Sequence, residues 1–124
     1  MKMSESFAND LCSVLVDVLE GGHIEILNYQ NEVLSSAKLA SPPFKPPEMG
    51  CMDLNQPTNT SRYGSSNDHP YRAWLFDKDG KVRLTATAGD KNDLLVQELY
   101  VDSLDPLVVR AHFSVHHAVV ADKS

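Results

Sequence analysis

Positive charge is scarce in this chain. Eleven Lys and Arg stand against 17 Asp and Glu, which leaves a formal net charge of −6. A surface of that sign repels phosphate backbones, so direct nucleic-acid binding is disfavoured. No polybasic run is present, and no aromatic residues interleave with basic ones over the length of a strand-binding groove. Long apolar runs are missing too: none approaches the roughly 18–20 residues that a bilayer span needs, so no membrane partner is expected. Met1 to Asp10 lacks the basic-then-apolar pattern of a signal peptide, and the expectation is synthesis and folding in a cytoplasm. Cysteine is rare, with only Cys12 and Cys51. Compartment usage points to a reduced pair. No glycine spacing marks a phosphate cradle, and no cofactor is expected.

What remains is ordinary for a globular protein: 124 residues, 42% hydrophobic and 23% charged. That length fits one domain, residues 1–124, able to bury about two-thirds of the surface its unfolded chain exposes. The clearest pattern lies in the second half. Tyr71–Asp77 and Lys81–Ala88 flank Asp79-Gly80, a strong local hairpin signal. Leu94–Val101 and Leu107–Val120 follow as further strands. In the last of these, Leu107, Val109, Ala111, Phe113 and Val115 point to a core. Arg110, His112, Ser114 and His116 point the other way, as in a sheet with one dry and one wet face.

The first half opens with a helix over Phe7–Leu19, within an N-terminal segment 1–22. Phe7, Leu11, Val14 and Val18 recur at helical spacing, and Ala8, Cys12, Leu15 and Leu19 widen the stripe. Ser4 or Ser6 can cap its start, and Gly21-Gly22 ends it. The stripe must pack either on the protein's own sheet or on a partner. His23–Asn28 and Val33–Leu39 read as a strand hairpin. Ser41–Glu48 holds four prolines, which cannot sit inside a ladder, and polyproline-II geometry along the surface follows. Met49–Leu54 is a candidate short strand, and Asn55–His69 reads as a long polar loop. The fold class is mainly β: antiparallel sheets in a β-sandwich or jelly-roll-like arrangement, with one N-terminal amphipathic helix.

Catalytic and metal-binding patterns are weak. His112 and His116 share a strand face, but four residues at ~3.3 Å each separate them by ~13 Å. That is too far for both to ligate one zinc ion easily. Asp77-Lys78-Asp79-Gly80 begins like a calcium loop, yet the chain returns at once to strand alternation, and turn chemistry accounts for both aspartates. Ser65, Ser66, Asp68 and His69 are too close in sequence for a triad, and no Gly-x-Ser-x-Gly elbow is present. Asp90, Asp93, Glu98, Asp102 and Asp105 are read as solvated acids. Trp74 and Phe76 share one face of their strand opposite Tyr71, Ala73 and Leu75. Both faces are therefore apolar, and a second sheet is expected on one side, with the helix or a neighbouring chain on the other.

The order Gly21-Gly22-His23-Ile24-Glu25-Ile26, Val33–Leu39, Ala73-Trp74-Leu75-Phe76, Asp77–Val82, Gly89 and the final strand to His117 resembles a family of small structural proteins of tailed bacteriophages and prophages. The proline-rich Ser41–Glu48 and the acidic charge depart from that pattern. The resemblance implies a virion component: a capsid decoration or cement protein on the capsid exterior, made in the host cytoplasm, that bridges major capsid protein subunits and self-associates as a dimer or trimer. A head–tail connector, a tail accessory protein and a non-catalytic β-sandwich ligand-binding module stand as alternatives. No enzyme activity is expected. The candidate partner interface comprises the helix stripe, the proline-rich arm with Pro42, Pro43, Phe44, Pro46 and Pro47, and the wet face with Arg110, His112 and His116.

Overall fold

A computed structural model describes residues 2–64, 69–88, 96–114 and 118–120. Among them the chain runs β1 (Lys2–Ser4), α1 (Glu5–Leu19), β2 (His23–Leu27), β3 (Val33–Lys38), β4 (Cys51–Asp53) and β5 (Thr58–Arg62). It continues through β6 (Arg72–Phe76), β7 (Val82–Thr87), β8 (Val96–Leu104), β9 (Leu107–Ser114) and β10 (Ala118–Val120). The fold is mainly β, with antiparallel five- and three-stranded sheets in the orders β5-β3-β2-β6-β7 and β4-β9-β8. A short parallel pair, β1 with β10, joins residues from the two ends of the chain. Of the long final strand expected from Leu107 to Val120, the described residues are β9 and β10, and β10 pairs with β1; Val115 lies outside the described residues.

The core lies between the two sheets. Ile24 sits across from Ala37 and Leu75, and Ile26 across from Ser35 and Ala73, all facing inward. The three-stranded sheet contributes Met52, Leu99, Val109, Ala111 and Phe113 to the same cluster. The inward alternation 107, 109, 111, 113 is as the sequence dictates. The hairpin of β6 and β7 turns at Asp77, whose Oδ1 accepts from the amides of Asp79 (2.9 Å) and Lys81 (3.0 Å). The Lys81 amide is the largest influence holding this carboxyl below its usual range, against the opposing effect of burial, and Arg83 at 3.1 Å adds to it.

Helix α1 starts two residues earlier than its apolar period suggests. Ser4 caps it by accepting from the Phe7 amide at 3.3 Å. It ends at the double glycine, where Gly21 takes a φ of 77°. Cys12 is buried among the core residues, and burial pushes its thiol pKa up, with Cys51 adding to the shift. Both cysteines are free thiols.

Two expectations are overturned. The Ser41–Glu48 segment is no free surface arm. Pro43 and Phe44 are buried, and the Phe44 ring meets Phe113 edge-on at 4.8 Å between centroids. The Asn55 amide donates to the Pro43 carbonyl at 2.9 Å and the Lys45 amide to the Asp53 carbonyl at 2.8 Å. Proline keeps the segment out of a regular ladder, as expected, but its aromatic residue plugs the core.

The polar stretch 55–69, expected as a loop, contains β5, paired to β3 at a sheet edge. Just before and within it, polar side chains stand in for ladder partners. The Gln56 amide donates to the Val109 carbonyl at 2.9 Å and accepts from the Val109 amide at 3.3 Å. Thr60 Oγ1 accepts from the Leu107 amide at 2.9 Å. Ser35 Oγ donates to the Leu104 carbonyl at 2.7 Å, a second polar tie between the sheets.

Candidate interaction surfaces

The apolar stripe of α1 is wider than its buried side. At ~100° per residue, Phe7, Leu11, Val14 and Val18 fall within roughly 60° of arc. Ala8, Cys12, Leu15 and Leu19 lie about 100° further round. The second line is directed inward, with Ala8, Cys12 and Leu19 buried and Leu15 half-buried, and Val18 at the end of the first line also packs against the core. Phe7 is 54% exposed, Leu11 39% and Val14 58%, while Val18 is half-buried. The helix packs against β1, β10 and β4. The three exposed residues thus form an apolar ridge one residue wide and two turns long. The sequence left open whether the stripe served the protein's own core or a partner, and the structure divides it between an inward line and an outward ridge.

A second surface lies on the outer face of the three-stranded sheet. Strand register sets Asp53, His112 and Glu98 in one row across β4, β9 and β8, with Tyr100 opposite Arg110 beside it. His112 Nδ1 lies 2.8 Å from Asp53 Oδ1. Arg110 is held by both carboxylate oxygens of Asp102, at 2.9 and 3.3 Å, and its guanidinium lies 4.9 Å from the centre of the Tyr100 ring. Asp102 is the main reason the Arg110 pKa rises above its usual value, so this cation is charged at every accessible pH.

Asp53, Glu98, Tyr100, Arg110 and His112 line a groove of about 410 Å³ that also takes in Lys45 and Gln56. A neighbouring groove of about 420 Å³ runs from His112 and Asp53 to Pro46 and Cys51. His112, Asp53 and Lys45 belong to both grooves.

Of the residues singled out in the sequence, the structure brings Arg110, His112 and Pro46 onto this face. Pro42 is exposed and Pro47 half-buried, whereas Pro43 and Phe44 are interior and drop out of any interface. His116 lies outside the described residues, as do Ser65, Ser66, Asp68, Asp90 and Asp93. Sequence reasoning missed Asp53, Tyr100 and Lys45. Cross-strand register, which a single strand's alternation does not encode, links Asp53 to His112 and Tyr100 to Arg110, while the proline-rich segment sets Lys45 beside Asp53 through its amide. Among the described residues, no three His, Cys, Asp or Glu side chains gather to hold a metal ion.

The outer face of the five-stranded sheet carries His23 stacked on Phe76 at 4.1 Å, with Trp74 beside them. The helix, expected as one possible cover for this face, lies elsewhere. No family model, curated protein or solved structure matches the chain.

Proposed function

We propose that this chain is a non-catalytic assembly protein of a virus particle, a decoration or cement subunit that binds the major capsid protein on the outside of the shell. The observation that carries the assembly part is the Phe7–Leu11–Val14 ridge, three large apolar side chains held in solvent on a helix that buries its neighbouring face. Apolar side chains contiguous on one exposed face, next to a polar rim, suit a protein contact. The virion part rests on the resemblance of the motif order to small structural proteins of tailed phages. In this reading each copy binds weakly, and the repetition of equivalent sites on a symmetric shell makes the layer hold through multivalency. Dimer or trimer formation around local symmetry axes would use the Arg110–His112 face, leaving the ridge for the shell.

A ligand-binding module is the second reading, favoured by the groove where Arg110, Tyr100, His112 and Lys45 converge. The experiment that separates them is the copy number of the chain in purified particles, measured against the major shell protein by quantitative mass spectrometry. The decoration role requires hundreds of copies. A dozen or fewer would place it in a connector or tail, and absence would leave the binding-module reading.

A further inference from the structure

We infer that the partner of the α1 ridge is a protein surface whose apolar groove carries Lys or Arg along one rim. The inference rests on the assembly reading and names the chemistry of its partner. The ridge has two different flanks. On one side the helix turns into the protein's own core through Ala8 and Leu15. On the other side, roughly 80° from the centre of the ridge, stand Asp10 and Asp17, both exposed.

From Glu5 to Glu20 the chain has four acidic residues and no Lys or Arg. The last turn of α1 has no basic residue of its own. A partner covering the ridge must therefore meet a line of carboxylates along one edge only. A basic rim on that edge gains complementary charge, speeds encounter and fixes which way round the helix lies.

The same charges disfavour the other occupants. Two copies packed antiparallel along their ridges would set Asp10 and Asp17 of one against Asp17 and Asp10 of the other. Helices that lie in a membrane interface carry Lys and Arg on the polar face, and α1 has neither.

The test uses the full chain and two designed helix-hairpin peptides. Each presents a Leu- and Ala-lined groove, one rimmed with Lys and its twin rimmed with Glu, and binding is read by fluorescence anisotropy. The Lys-rimmed peptide should bind, the Glu-rimmed twin at least about tenfold more weakly, and the difference should shrink as salt screens the rim. Leu11→Ser with Val14→Ser should abolish binding. Asp10→Lys with Asp17→Lys should reverse the preference between the twins. All four positions are exposed, and a circular dichroism melt of each variant, with Val14→Ser alone as the milder form, keeps loss of binding distinct from loss of fold.

Equal binding of the twins, or binding of neither, overturns the inference. So does a dimer in sedimentation velocity that disappears with Leu11→Ser and Val14→Ser, or flotation with phosphatidylcholine or phosphatidylglycerol vesicles that the same pair removes. These measurements use the isolated chain and are independent of whether it is found in particles, so this inference and the virion reading fail separately.

Discussion

Gly22 sits where the end of α1 meets β6. A Cβ at this position would lie 1.8 Å from the Phe76 carbonyl oxygen, far inside contact distance, and the obstacle is backbone that cannot rotate away. Gly22→Ala must push β6 or the helix end out of place, at a cost of about 3 kcal/mol, the upper end of the overpacking range. A fall in the thermal midpoint of about 10 °C is the expected reading.

Asp77 offers a different kind of test. Its folded pKa is depressed, first by the Lys81 amide, so its contribution to stability is complete above the unfolded value of about 3.9. That contribution is lost as pH falls through the folded pKa. Denaturant midpoints measured from pH 6 down to pH 2 should therefore decline less steeply in Asp77→Asn than in the parent chain. An identical slope below pH 4 would remove the turn carboxylate from the account.

At the scale of elements, the proline-rich segment carries the sharpest consequence. Phe44 is almost wholly buried and edge-on to Phe113, so Phe44→Ala should cost about 3–5 kcal/mol in urea denaturation. Deleting Pro42–Pro47 should abolish cooperative unfolding, and a deletion that melts like the parent would restore the free-arm picture.

That segment also shows where the sequence was legible and where it was not. The hairpins at Asp79-Gly80 and at residues 28–31 could be read because turn chemistry and alternation are local. The helix and its wide stripe were legible for the same reason. Which half of the stripe faces inward was not, because the angle at which a helix docks is set by the sheets beneath it. Strand β5 reads Thr-Asn-Thr-Ser-Arg, with no apolar face to betray it. It is held instead by its ladder to β3, by Thr60 reaching across to β9, and by Gln56 just ahead of it. The burial of Phe44 had one local sign, an aromatic residue alone among prolines. Of the candidate interface, the alternation of β9 gave Arg110 and His112, while their partners Asp53, Asp102 and Tyr100 come from strands whose register only the fold supplies.

For the whole molecule, an acidic β-scaffold presents two separate surfaces of opposite character. The α1 ridge is apolar with an acidic edge. The β4-β9-β8 face is polar, with Arg110 held by Asp102 and the His112 ring against the Asp53 carboxylate. Pairs as exposed as Arg110–Asp102 contribute little to stability, so that face is free to serve recognition. A subunit of a particle shell needs both kinds of surface, one to seat on the shell and one to meet its neighbours. The central claim is that this chain is such a subunit, and its copy number in purified particles, by mass spectrometry with isotope-labelled peptide standards, tests it most directly. The account predicts hundreds of copies per particle, in a fixed ratio to the major shell protein. Particles that lack the chain, purified from cells that produce it, would contradict it.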